Sequence, residues 1–435
     1  MLADDAMISM RYAYNFANGN GLVWNSGEYV QGITNLGFTL IMSFFHLLNA
    51  PLGTNSLFIQ ILNLIITLYI IYYLYNKEGI LPAILVAING CMFVWGIYGM
   101  ESNLQALLVL MAFYSNRYML LWLALAFFIR SDGLVLFLLG IMYCLYMRDK
   151  QQTLGFLIGS SIVISVFMFQ YLYYDSLFPN TYYLKSEGTN GLEYINTFLF
   201  KEFFHFPIML GAAIYLLLTR PGRVNKEELK FAVFIIGWLV YILYIGEDAF
   251  SYGRFFIPII PLLCILCGRC IKRFYENNFY LILIIILFGL HVYFRFAMPI
   301  NEDIPKETVD VITTVKQFPT NNTIAIYYAG RIPYFLPEYK FHDLLGKNDR
   351  HIAMTKKKQG KVGHNKWDYD YSLDSLKPDV IITATHFYKY SDNVAKLQIM
   401  NNYNYSFHSA LYLDSTFKTK YKYYSGYQKL IYKKQ

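Results

Sequence analysis

The segment DDAMISMRYAYNFANGNGLVWNSGEYVQGITN (residues 4–35) is polar, aromatic and glycine-bearing, and apolar runs of membrane type follow it directly. It opens on two adjacent acids, Asp4 and Asp5. Carboxylates held where water meets a bilayer are costly unless they serve a purpose. This juxtaposition implies a first outer loop, residues 1–32, lying against a stack of membrane-spanning helices.

Composition leads to the same class. With 56% hydrophobic and 15% charged residues among 435, the chain reads as an α-helical polytopic membrane protein. Segments long enough to span, or nearly so, lie at 55–75, 80–98, 101–116, 118–130, 132–148, 153–174, 204–219, 230–247, 254–270 and 278–297. The run at 33–49 carries Asn35 and His46 and reads as a helix lying in the outer interface. Residues 175–203 form a second long outer loop. Past Pro299 the character changes, and charged residues, Asn and Tyr alternate with short β-type runs such as TIAIYY (323–328) and DVIITAT (379–385). The expected division is a membrane domain over 1–298 and a soluble α/β domain over 299–435.

Lys and Arg bias orients the chain. If 55–75 runs from outside to inside, the inner loops collect Lys77, Arg117, Arg148, Lys150, Arg220, Arg223, Lys226, Lys230, Arg269, Lys272 and Arg273. The outer side then holds Asp4, Asp5, Glu101, Asp132, Asp175, Glu247 and Asp248, the cations Arg130, Lys185, Arg254 and Arg295, and the C-terminal domain. This puts the C-terminal domain on the extracytoplasmic side of the membrane. An N-terminal Asp4 on the outer side implies an upstream membrane helix. The net charge of +8 reports this topology, not nucleic-acid binding.

All five cysteines fall in apolar segments. CILCGRC (264–270) puts three of them at helical spacing with no acid or His nearby, which suits small soft residues in a span better than a metal site.

Several side chains could carry chemistry. Asp4 or Asp5 could take a proton from a hydroxyl, and desolvation near lipid would raise its proton affinity. Either could instead cap a helix. Arg254 turns a loop with two acids into a span, where a guanidinium suits a lipid phosphate or an ion pair with Glu247 or Asp248. Arg130 could do the same, or pair with Asp132. Glu101 opens a span, where helix capping accounts for an acid. In the soluble part, Asp343, Asn348, Asp349, Arg350, His351, His364 and Lys366 cluster in sequence at no standard metal spacing. They read as a loop network or an edge that contacts substrate.

The first segment resembles the first extracytoplasmic loop of bacterial GT-C glycosyltransferases, in particular the group that contains the mycobacterial terminal β-(1→2) arabinofuranosyltransferase. Further blocks resemble that group in the same order: GMESNLQALL (99–108), RSDGLVLFL (130–138), YYDSLFPNTYYLK (173–185), GEDAFSYGRFFIPIIPLL (246–263), IPYFLPEYKFHDLLGKNDRHIA (332–353) and GHNKWD (363–368). The resemblance implies a GT-C fold and an inverting transfer of a sugar from a polyprenyl-phosphate donor to a glycan or glycolipid hydroxyl outside the membrane. It maps the catalytic acid onto Asp4 or Asp5 and the lipid-phosphate arginine onto Arg254. It also places Glu101, Arg130, Asp132, Asn180, Lys185, Asp343 and His351 in or near the reaction cavity. The sugar is left open, because the Tyr-, Asn-, Ile- and Lys-rich composition differs from that of the Ala-rich members. A divalent cation bridging acids and phosphate would suit the chemistry, though no motif demands one. An O-antigen polymerase or ligase and a lipid or sugar transporter are the alternative classes.

Overall fold

The computed structural model describes residues 2–185, 191–202, 226–246, 248, 250, 252–274, 303–360, 362–383, 406–425 and 431–435, with single residues at 211, 214 and 289. The expected spans at 204–219 and 278–297, and Arg220, Arg223, Glu247 and Arg295, lie outside these residues.

The first loop is not irregular throughout. Asp4–Ala17 forms a helix, α1, with two acids in its first turn, where the helix dipole favours negative charge. It ends at Asn18, whose amide donates to Tyr14 O, and Gly19 follows with φ of +78°. Two surfaces bury α1. Ala6, Met7, Met10 and Ala13 pack among the apolar helices, while Ile8 and Tyr12 pack with Ile324, Ile326 and Phe341 of a C-terminal sheet. The helix is thus a wedge between the two halves of the molecule.

The helices that follow are α2 (Leu36–His46), α3 (Leu52–Glu78), α4 (Ile80–Ala87), α5 (Gly90–Ile97), α6 (Ser102–Tyr114), α7 (Met119–Ile129), α8 (Gly133–Met147) and α9 (Thr153–Tyr174). The segment expected as the second long loop contributes α10 (Asn180–Lys185) and α11 (Gly191–Asn196), and α12 covers Lys226–Ile245. A 3₁₀ turn at Arg254–Ile259 leads into α13, Ile260–Phe274. Among the described residues three stretches are long and apolar enough to cross a membrane: Leu52–Glu78, Lys150–Tyr174 and Arg254–Lys272. The chain is a multi-pass membrane protein on this count. The expected span at 80–98 is broken instead, with α4 and α5 meeting at a 51° bend. Asn89 causes the break, since its side chain accepts from Met92 N and restarts the helix. α6, α7 and α8 are shorter apolar helices.

α3, at 27 residues, covers about 40 Å. Its start accepts a hydrogen bond from Tyr334 at Leu52 O. At its far end Glu78 accepts from Arg269, and Lys272 donates to Glu78 O. The cysteines of the apolar segments are buried thiols.

The C-terminal part begins with α14 (Asp303–Val315) and builds a sheet of strands β1 (Thr323–Ile326), β2 (Lys340–Asp343), β3 (Val380–Ile382), β4 (Tyr421–Ser425) and β5 (Ile431–Lys434). Their order is β2-β1-β3-β5-β4, parallel for β1 with β2 and β3, antiparallel for β5 with β3 and β4. Two-residue alternation splits the side chains between faces. Ile324, Ile326, Val380 and Ile382 face α1, while Ala325 and Ile381 pack with Trp367, Leu373 and Phe407 on the other side. Apolar layers on both faces explain why TIAI and VII read as continuous apolar runs. Short helices α15 (Arg331–Phe335), α16 (Arg350–Met354), α17 (Ser406–Leu413) and α18 (Ser415–Lys420) complete this part.

Candidate active site

A cavity of about 500 Å³ opens where α1, the apolar helices and the sheet-bearing part meet. Its walls come from residues far apart in sequence, among them Asp5, Glu101, Arg130, Asp132, Lys185, Arg254, Lys347 and His364. Apolar side chains, including Ile8, Leu134, Val135, Phe178, Tyr241 and Tyr244, line the remainder. Tyr244 is 80% exposed, so the cavity reaches the outer surface of the apolar helices.

The adjacent acids part company here. Asp4 turns to the sheet-bearing part, and its carboxylate accepts from Gly330 N (3.2 Å) and Arg331 N (3.0 Å). Gly330 is needed at that contact, because a Cβ there would stand 1.9 Å from Asp4 O. Asp4 is not among the cavity's lining residues, whereas Asp5 is. Lys347 Nζ donates to Asp5 Oδ1 at 2.7 Å, and Arg254 Nη1 to Asp5 Oδ2 at 3.2 Å. Burial alone would lift the Asp5 carboxyl, but Lys347 and Arg254 outweigh it and hold the group well below the usual carboxylate range. The raised proton affinity expected from desolvation is therefore reversed in this protein.

Arg254 makes a second, tighter attachment. Its Nε lies 2.6 Å from Asp248 Oδ2, and its Nη2 donates to Asp248 Oδ1 at 2.9 Å. Gly253, with φ of +52°, and the 3₁₀ turn point the side chain back into the cavity. Its guanidinium lies 4.9 to 5.6 Å from the ring centroids of Phe250, Phe255 and Trp95. Lys185, at the end of α10, lies 3.7 Å from Asp248.

A second charged group faces the same space. Arg130 Nη1 donates to Glu101 at 2.5 Å and its Nε to Asp132 at 2.7 Å. Asn35 donates to the other Glu101 oxygen and Gln105 to the other Asp132 oxygen. Glu101 makes no side-chain cap, so the capping account of this acid is corrected: its carboxylate serves Arg130 and Asn35.

The remaining expected residues are not among those that line the cavity. Asp343 is buried and accepts from Leu345 N, Asn348 N and Asn348 Nδ2, closing the turn after β2. Burial pushes its carboxyl up to about 6. Asn180 donates its side-chain amide to Gly346 O and its backbone N–H to Gln31 O, tying the second loop to that turn and to the first loop. His351 lies on the exposed surface, paired with Asp368 at 2.8 Å and stacked on Tyr371. Lys366 donates to Tyr183 O and Ala353 O.

Sequence reasoning missed Lys347 and Arg11. Lys347 sits in FHDLLGKNDR among several charges, and nothing in the sequence distinguishes it. Arg11 is almost fully buried, donating to the carbonyls of Trp24, Pro333, Leu336 and Tyr339 and to Asn25. It bolts α1 to the sheet-bearing part. A lone arginine on an apolar helix face was the available signal. Among the described residues no three His, Cys, Asp or Glu side chains gather as a metal-ligand set. The cavity acids face cations instead, which is a poor fit for a divalent ion.

Comparison with known proteins bears on this geometry. A family model described as a domain of unknown function (DUF8728) matches residues 303–429. No curated protein matches the chain. The crystal structure of ArnT from Cupriavidus metallidurans in the apo state is similar at TM-score 0.61 and 11% identity, covering 99% of this chain and 93% of that one. The structure of the same protein bound to undecaprenyl phosphate gives TM-score 0.62 at 10% identity, covering 99% of this chain and 94% of that one. At these identities the likeness is one of fold: the chain folds as ArnT does, over nearly its whole length.

Proposed function

We propose that this protein is a GT-C membrane glycosyltransferase that moves a sugar from a polyprenyl-phosphate donor to a hydroxyl of a cell-envelope glycan or glycolipid. The reaction takes place on the outer face of the cytoplasmic membrane. One observation carries the reading. A single cavity holds the Asp5 carboxylate beside Arg254 at its polar end and continues to an apolar helical surface at Tyr244. A phosphate linked to a long hydrocarbon needs both kinds of surface, joined. The ArnT fold, seen in one case with undecaprenyl phosphate bound, supports the same donor class.

In this mechanism the acceptor hydroxyl gives its proton to Asp5 and attacks the anomeric carbon. The new C–O bond forms as the bond from that carbon to the phosphate oxygen breaks on the opposite face, which inverts the centre. Polyprenyl phosphate leaves with the bonding electron pair. Arg254, with Lys185 nearby, stabilises the charge that develops on the leaving group. The cavity orients donor and acceptor so that little freedom is lost at the transition state. Asp5 is ionised at neutral pH and can accept a proton. Anionic phosphate bound by Arg254 would weaken the attraction that holds its proton affinity low.

The test is transfer of radiolabelled sugar from a polyprenyl-phosphate donor in membranes carrying the full chain. Asp5→Asn should lower transfer by about 10²–10⁴-fold, the usual contribution of a general base. Asp4→Asn should stay within a few-fold, because Asp4 does not line the cavity and an amide oxygen keeps one of its two backbone contacts. Full activity in the Asp5 variant sinks the proposal.

A further inference from the structure

Both oxygens of Asp5 are engaged, one by Arg254 and one by Lys347. Each oxygen keeps a second lone pair, but a cation held against it lowers its basicity, so releasing one contact makes the carboxylate a better acceptor for the hydroxyl proton. The two cations differ in how they are held. Arg254 is anchored by two contacts to Asp248, in addition to its contact with Asp5. The Lys347 ammonium has one hydrogen-bond partner among the described residues, Asp5. It sits on a flexible four-carbon stem and can swing between anions.

The backbone beneath Lys347 is fixed. Asp343 closes the turn with three accepted hydrogen bonds, and Gly346 adopts φ of +80° within it. Asn348, the next residue, has its Oδ1 3.1 Å from the Tyr12 hydroxyl of α1, the helix that also carries Asp5. Gly32 leaves no room for a side chain there, since a Cβ would stand 2.0 Å from Asn348 Oδ1. The sheet-bearing part is therefore built to hold one mobile ammonium against Asp5.

We propose that Lys347 is a positioning residue for Asp5: it orients the carboxylate in the donor-free site, then moves to the donor phosphate and frees an oxygen for the acceptor hydroxyl. This assigns a role to the region that matches the domain of unknown function, which would complete the site as well as cover it. The inference rests on the donor class proposed above.

Binding of undecaprenyl phosphate to the purified full chain tests it, with Kd measured for wild type, Asp5→Asn, Lys347→Met and the double variant. If Lys347 exchanges between carboxylate and phosphate, Asp5→Asn tightens binding by about tenfold, the equivalent of one pKa unit. Most of that gain disappears when Lys347 is Met, so the two changes are strongly non-additive. Lys347→Arg, which keeps the charge, should recover wild-type binding to within a few-fold, and a wild-type elution profile confirms folding. Additive changes in a wild type that binds the lipid overturn the Lys347 role alone. A wild type that binds no undecaprenyl phosphate overturns the donor reading, and this inference with it.

Discussion

Arg130 lies between two acids, Glu101 and Asp132, whereas Asp5 and Asp248 share three cations: Arg254, Lys347 and Lys185. The first group carries one surplus negative charge and the second one surplus positive charge. Their origins differ too. The acidic group comes from residues 101–132, on consecutive apolar helices and their turns. The cationic group draws on α1, the end of α10, the approach to α13 and the turn after β2. A lone cation that answers two acids has nothing to spare and acts as a brace. A surplus cation can be lent to an incoming anion. Under the proposed function, Arg130 would brace and the Arg254 group would bind the phosphate.

Substituting the two arginines is the strongest way to break that contrast. Arg254→Gln should lower transfer by about 10²–10³-fold, as loss of one preorganised donor to a developing anion does. Its stability cost should be modest, because Lys347 still answers Asp5 and Lys185 still stands near Asp248. Arg130→Gln should do the reverse. It leaves Glu101 and Asp132 buried without their cation and should cost about 3–5 kcal/mol, read as thermal unfolding in detergent. Transfer per folded molecule should fall far less than in Arg254→Gln. The opposite pattern would exchange the two roles.

Gly330→Ala sharpens the comparison from the backbone side. The added methyl meets Asp4 O and has to push α1 away, at about 1–3 kcal/mol. Because α1 carries Asp5 and not Glu101, the cationic group alone should be displaced, and transfer should fall several-fold. Unchanged transfer with lowered stability would separate Asp5 from the wedge.

The smallest effect is the dependence of stability on pH, where two buried acids carry opposite signs. The Asp343 carboxyl is lifted to about 6 by burial, above its unfolded value of about 3.9. The folded state therefore binds the proton first, and stability from this group rises as pH falls from about 6 to 4. Asp5 is depressed, so its contribution is complete above the ordinary carboxylate range and is lost as pH drops below about 4. Unfolding temperature should pass through a maximum near the crossover. Asp343→Asn should remove the rise and leave the acid fall in place.

The fold was legible where one physical term dominates. Hydropathy located Leu52–Glu78 and the run entering at Arg254, and two-sided burial marked the strands at 323–326 and 380–382. The break at Asn89 was missed because an eighteen-residue apolar average hides one capping side chain. α1 was read as loop because the glycine-bearing segment that follows it masks a helix buried on two sides. For the cavity, residues close in sequence were within reach: Arg130 with Asp132, and Arg254 with Asp248, could be paired by inspection. Arg11 and Lys347 could not, since the Lys347 partner and three of the five Arg11 partners lie more than 300 positions away.

Sequence alone determined that the chain is apolar enough to live in a membrane and that a strand-bearing part follows. Those properties are sums over local residues, and a sum needs no knowledge of contacts. Tertiary structure alone decided that Asp5 faces the cavity while Asp4 faces Gly330. It also decided that Lys347 reaches Asp5, and that Glu101 braces Arg130 instead of capping its helix. Neighbouring side chains on a helix point about 100° apart, so two adjacent acids with one composition meet different partners once the helix is packed.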